Sequence, residues 1–277
     1  MSRTSKLGPA WRHLLLVLIT LASIYPILQV IGISLRPSDR LYSTSLSLIP
    51  EGATLKAYRA ILFEKPFFTW LRNSLLISVS VTIFSIILAS TAAYGFSRFR
   101  FRGQKEGLLT FLITQMFPAT MLLLPTYVLM AKIKLVDTPL GLIVAYTATS
   151  LPFCVWTMKG FYDTIPKELE EAALIDGLTP MQAFLRIIVP LSTPALAITA
   201  LFSFMAGWSE YIVARVIISS RGLYTLPLGL ADLAGTFQTE WANYAAGSLL
   251  VCLPVLVLFV VLNRYLVSGL TLGGVKG

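Results

Sequence analysis

The sequence predicts an all-α, polytopic membrane protein with six transmembrane helices, both termini on the cytoplasmic side, and a cytoplasmic helical hairpin between the fourth and fifth spans. Three observations carry this expectation. Of 277 residues, 56% are hydrophobic and 13% charged, against about 45–50% and ~25% in soluble domains. Nearly uncharged runs occupy residues 14–35, 74–96, 108–131, 139–158, 195–218 and 244–262, each close to the roughly 20 residues a helix needs to cross hydrocarbon. Between the fourth and fifth of them lies a polar segment, 163–190, with its own helix start and stop signals. The runs lack the period of two of a barrel wall, so their backbone groups must be satisfied within helices.

The first run is too long for the ~7–15-residue core of a cleavable signal, and no small-residue cleavage site follows it. His13, the single histidine, stands at its mouth as an interfacial residue. Arg3, Lys6 and Arg12 precede this run, and Arg98, Arg100, Arg102 and Lys105, against Glu106, fill the loop after the second. The short loops on the opposite side carry Lys132, Lys134 and Asp137, and then Arg221, Asp232 and Glu240. The excess of basic residues places the termini inside. The connection 36–71 is then external although it holds Arg36, Arg40, Lys56, Arg59 and Lys65, partly offset by Asp39, Glu51 and Glu64; the short loops decide. The chain divides into 1–70 (N-terminus, first span and external loop), 71–266 (membrane core) and 267–277 (a glycine-rich cytoplasmic tail).

Several functions are excluded. The net charge of +9 sits at span ends rather than in an aromatic-rich soluble patch, so it orients the chain in lipid and does not bind nucleic acid. Cys154 and Cys252 fall inside apolar runs and read as buried thiols. With one histidine there is no histidine metal cluster and no histidine base, so no catalytic residue and no metal ligand is assigned. No glycine is followed by lysine, so the phosphate-cradling loop GxxxxGK[ST] is absent. The chain is not an enzyme, and energy for any transport must come from elsewhere.

The polar segment reads as two helices. Pro166 suits a first turn, and Leu169, Ala172 and Ala173 at i, i+3 and i+4 form a narrow apolar stripe. Gly177 ends the helix. Thr179, Pro180 and Gln182 make a capping box with proline at the first helical position, and the second helix runs from Pro180 to Val189, where Pro190 interrupts it. The competing reading is a connector resting on lipid headgroups. Against it, Asp163, Glu168, Glu170, Glu171 and Asp176 oppose only Lys167, and an anionic leaflet repels that face. A soluble partner on the inner side fits better: the alanines allow close approach, and Glu171 can accept a charge-assisted bond from an arginine.

Glu171, Ala172 and Ala173, then Gly177 after three residues, then Ile187, Ile188, Val189 and Pro190 after nine more, closely resemble the EAA loop of ABC importer permeases, with Val189 where leucine is usual. Asn73–Leu75 (NSL), Ala92–Gly103 (AAYGFSRFRFRG), Gln115–Pro118 (QMFP) and Gly269–Gly277 (GLTLGGVKG) resemble the carbohydrate-uptake branch, most closely the smaller permease subunit of maltose and maltodextrin importers. The resemblance covers nearly the whole chain. It implies a second, different permease subunit (MalF-like), two cytoplasmic ATPase subunits that hold ATP and Mg, an extracytoplasmic sugar-binding protein, a sugar substrate, and residence among the lipids of a bacterial or archaeal inner membrane. It implies no cofactor on this chain. Glu170, Glu171, Ala172, Ala173, Gly177 and Pro190 become the ATPase-coupling residues.

In the tail, Gly269, Gly273, Gly274 and Gly277 leave the backbone too flexible to pack as a helix, and the resemblance implies that Gly273, Gly274 and Lys276 reach the ATPase. Candidates for the translocation pathway are Gln115, Trp208, Glu210 and Tyr211. Glu210 and Arg215 are the only charges inside the six runs, and such charges face a cavity or a partner; for Glu210 a structural bond to the partner subunit is favoured over a sugar or gating contact. Related permeases carry other oligosaccharides or glycerol phosphates. An ion-coupled secondary transporter needs paired intramembrane acids or inverted repeats, and an intramembrane enzyme needs a dyad or metal cluster; the sequence offers neither.

Overall fold

The computed structural model describes residues 7–37, 49–235 and 239–273. Among them, all regular structure is helical. The chain forms two compact units, 1–67 with 230–253, and 68–229 with 254–277.

In the first unit α1 (Leu7–Ser34) is exposed from Trp11 to Leu28, with Ser34 at its end bonded to the Tyr58 hydroxyl at 2.9 Å. The short α2 (Lys56–Phe63) buries Ala57, Ala60 and Ile61 on one face. Lys65 Nζ reaches Glu240 Oε1 at 3.1 Å, and Asn243 Nδ2 donates to Glu240 Oε2 at 2.6 Å.

The second unit is built on α3 (Phe67–Arg98), 32 residues long. After it come α4 (Gln104–Met116), a 3₁₀ turn (Ala119–Leu122), α5 (Leu123–Lys132) and α6 (Pro139–Tyr162). The hairpin follows as α7 (Glu168–Ile175), α8 (Pro180–Ala183), a π-helical turn (Phe184–Ile188) and α9 (Val189–Leu191). Next are α10 (Thr193–Trp208), α11 (Ile212–Ile217), a 3₁₀ turn (Arg221–Leu223) and the start of α12 (Leu226–Leu233); α13 (Trp241–Gly273) begins in the first unit and ends in the second. Close approach of helices is built from small residues: a Cβ on Gly207 would stand 3.0 Å from Ser78 Cα, so α10 packs backbone to backbone on α3. Ser85 and Ser150 share a buried bond at 2.8 Å between α3 and α6.

Among the described residues, four helices are long and apolar enough to cross a membrane unbroken: 11–34, 67–98, 139–162 and 241–265. The third and fifth apolar runs depart from the straight spans expected of them. The third breaks between α4 and the following turn, bending by 101°. Phe117 is extended, with ψ 128, as the residue before proline prefers, and Pro118 follows it. The fifth run stops being helical at Trp208 and resumes only at Ile212. Its helix α10 meets the hairpin's second arm at a bend of 79°.

Three further expectations are corrected. Pro190 does not interrupt the second arm. The helix passes through it to Leu191 because the turn before it is widened to π, with the Val189 N–H bonded to the Phe184 carbonyl, where a proline ring would otherwise clash with the carbonyl four residues back. The glycine-rich tail is helical as far as Gly273, so Gly269 costs propensity without stopping a helix that is already propagating. Cys154 is buried, but Cys252 is exposed, since the chain leaves that face of α13 uncovered. Gly274 and Lys276 lie outside the described residues.

Candidate functional site

The hairpin is local chemistry first. Glu168, Glu170 and Glu171 in the first turn of α7 lie where the helix dipole favours acids. Gly177 adopts φ +88, and the N–H groups of Gly177 and Leu178 return to the carbonyls of Leu174 and Ala173 at 3.1 and 3.0 Å, a left-handed close that suits glycine. The capping box forms as expected: Thr179 N–H donates to Gln182 Oε1 at 2.9 Å, and Gln182 N–H to Thr179 Oγ1 at 3.3 Å. Such a cap contributes about 1 kcal/mol.

Tertiary contacts then give the hairpin two unlike faces. The inner face is clasped by the last turn of α3. Glu170, which the sequence groups with the docking residues, turns inward: its Oε1 accepts a short bond from Arg98 Nε and its Oε2 one from the Tyr94 hydroxyl at 2.7 Å. The Arg98 and Glu170 side chains are only 7% and 10% exposed. Arg98 also donates to the Ile165 carbonyl at 3.0 Å and to Ser97 Oγ at 3.1 Å, while Ser97 donates to Asp163 Oδ1 at 2.6 Å. Lys159 closes on Asp163 Oδ2 at 2.6 Å. Burial alone raises the Asp163 pKa, but the bonds from Lys159 and Ser97 outweigh it and hold the carboxyl below its usual range. Removing one partner of a buried pair such as Arg98–Glu170 costs about 3–5 kcal/mol, because the other charge stays buried and uncompensated. Beneath the clasp, Ala89, Ala93, Met158, Tyr162, Phe184 and Ile188 form one apolar core.

The outer face is open. Glu171 and Ala172 are exposed, Ile175 is 86% exposed and Met181 60%. The expected stripe divides: Leu169 and Ala172 face out, and Ala173 is buried beside Glu170. Gly177 and Pro190 are exposed. From the sequence, Tyr94, Ser97 and Arg98 have no role at the hairpin: Arg98 serves as an orienting charge, and all three fall within the family-like stretch Ala92–Gly103. A further signal was the helical i, i+4 spacing of Tyr94 and Arg98 at a span end.

The pathway candidates scatter. Gln115 is exposed one turn from the break, with a long 3.5 Å contact to the Thr149 carbonyl. Trp208 is 2% exposed and stacks on Phe204 with ring centroids 5.3 Å apart. Glu210 is half-buried and uses Oε1 to accept the Val213 N–H at 2.7 Å, closing the start of α11 within its own chain. Tyr211 is 40% exposed. Among the described residues, no group of three His, Cys, Asp or Glu side chains could hold a metal.

The family described as binding-protein-dependent transport system inner membrane component matches residues 82–271. The maltodextrin transport system permease protein MdxG of Bacillus subtilis is 36% identical over 267 residues, covering 96% of this chain and 95% of that protein. The diacetylchitobiose uptake system permease protein DasC of Streptomyces coelicolor is 31% identical over 275 residues, covering 99% and 100%. A solved bacterial ABC transporter involved in the import of the acidic polysaccharide alginate has the same fold, with a TM-score of 0.83 at 23% identity, covering 96% of this chain and 98% of that one.

Proposed function

We propose that this chain, which belongs to the family of binding-protein-dependent transport system inner membrane components, is the transmembrane subunit of an ABC importer for an oligosaccharide of the maltodextrin class. Six spans follow when the bent pair α4 and α5 counts as one and α10 with α11, without the hairpin arm before it, as another, and the loop charges favour both termini and the hairpin in the cytoplasm. One observation carries the coupling role: the hairpin's base is bonded into the bundle through Glu170, while Glu171, Ile175 and Met181 on its outer face are exposed. A partner ATPase subunit holding ATP and Mg receives that face. ATP-driven closure of two such subunits moves the hairpins, and the spans of this chain and a MalF-like second permease alternate between outward and inward openings. A sugar-binding protein delivers substrate from outside, and Gly273, Gly274 and Lys276 of the tail contact the ATPase.

The relatives named above are named for different sugars, and what supports maltodextrin is the likeness of the stretches Asn73–Leu75, Ala92–Gly103, Gln115–Pro118 and Gly269–Gly277 to the maltose-type subunit. The test is reconstitution of the chain with its partner permease, ATPase and binding protein in liposomes. Uptake of radiolabelled maltotetraose that needs internal ATP is expected, with diacetylchitobiose a poor competitor. Uptake driven by an ion gradient without ATP overturns the importer reading, and preferred uptake of diacetylchitobiose overturns the substrate.

A further inference from the structure

Helix α3 is bonded by side chains at both ends. At the hairpin end Tyr94, Ser97 and Arg98 take hold of Glu170, Asp163 and the Ile165 carbonyl. At the other end Asn73 Nδ2 donates to the carbonyls of Gly222 and Tyr224 at 2.9 and 3.0 Å, and Ser74 Oγ accepts the Leu226 N–H at 2.8 Å. Asn73 and Ser74 are 7% and 0% exposed. These contacts fasten the segment 222–226, around and after the 3₁₀ turn, to the start of α3. Between the two fastenings α3 contains neither a proline nor a break, a helical rod of ~36 Å at 1.5 Å per residue.

The hairpin's covalent continuation differs in kind. Its second arm contains the π turn 184–188 and then meets α10 at a 79° bend. A widened turn and a bend yield under displacement, whereas a continuous helix clamped at both ends transmits it. We infer that α3 is the rod that carries hairpin displacement to the segment 221–226 at the opposite end of the bundle, with Arg98, Glu170 and Tyr94 as the positioning residues that make the grip. The inference rests on the docking role proposed above, since the ATPase supplies the displacement.

The experiment uses the complete complex with its partner permease and ATPase subunits, with bimane attached to Arg221→Cys in a Cys252→Ala background. Trapping with ATP and vanadate is expected to shift bimane emission in this parent. Glu170→Gln is expected to abolish the shift while the ATPase subunits still co-purify and still trap nucleotide, and the double exchange Arg98→Glu with Glu170→Arg to restore it. An undiminished shift in Glu170→Gln, a parent that traps nucleotide with no shift, or a double exchange that assembles without restoring it each overturns the inference. If Glu170→Gln fails to assemble, Tyr94→Phe, which removes one hydrogen bond, decides: a reduced shift supports the grip and an unchanged one overturns it. A parent chain that never retains ATPase subunits overturns the importer reading instead.

Discussion

The indole of Trp70 occupies the space that any side chain on Gly229 would need: a Cβ there would stand 2.1 Å from Trp70 Cδ2. Trp70 is 5% exposed in the first turns of α3, so it has no free direction to yield. Gly229→Ala is therefore expected to destabilise the chain by about 1–3 kcal/mol, the usual range for overpacking. Gly222→Ala, whose Cβ meets nothing within 4 Å, is the control. Thermal unfolding of the detergent-solubilised complex, followed by size-exclusion fluorescence, measures both; equal melting of the two variants refutes the contact.

Glu171 is exposed where Glu170 is not, and the two adjacent acids should fail differently. Glu171→Lys is expected to leave membrane insertion and subunit folding intact while separating ATP hydrolysis from uptake. Gly177→Pro should do the same, because φ +88 is closed to proline. Paired assays of binding-protein-stimulated hydrolysis and sugar uptake decide it, and wild-type values for both in either variant remove the docking role.

Orientation rests on loop charge. A cysteine at Phe101 is expected to resist an impermeant thiol reagent applied to intact cells, and one at Glu51 to react. The reverse pattern would turn the protein over and take the hairpin away from the ATPase.

Residues 274–277 continue from a helix that runs to Gly273. Deleting them is expected to lower transport-coupled ATP hydrolysis without preventing assembly. A truncated subunit that assembles and hydrolyses at the full stimulated rate shows the tail to be dispensable.

Asp137 closes a loop: its Oδ1 accepts the N–H groups of Ser219 and Ser220, both at 2.9 Å, and its Oδ2 the Ser220 hydroxyl at 2.5 Å. These bonds, from the Ser220 hydroxyl first and then the two amides, hold its carboxyl below the ordinary value. A depressed folded pKa means that the contribution to stability is present above the unfolded value, about 3.9, and is lost as pH falls through the lower folded one. Amide exchange at Ser219 and Ser220 is therefore expected to speed up, relative to its intrinsic rate, only on acidification below about pH 4. Asp137→Asn should show the faster exchange at every pH; unchanged protection in that variant refutes the lock.

What was legible in the sequence was local. The apolar runs, the Gly177 turn and the Thr179–Gln182 box depend on residues within a turn or two of one another, so composition and spacing suffice to place them. Pro118 and Pro190 show where that legibility ends. Both offered the same local signal, yet Pro118 stands outside any helix at a 101° break while Pro190 lies within the second arm behind a π turn, just before that arm's 79° bend, and Phe184 and Ile188 of the π turn pack into the core with α3 and α6.

The division runs through the hairpin itself. Its acidic first turn, its close and its cap were determined by the sequence alone, since each is a bond between near neighbours. Which acid faces outward was decided only by tertiary structure: Glu170 and Glu171 are chemically identical and adjacent, and Arg98, 72 positions away from Glu170 along the chain, selects one of them for burial. A buried guanidinium must find a carboxylate, and that requirement acts through space, where spacing along the chain carries no record of it.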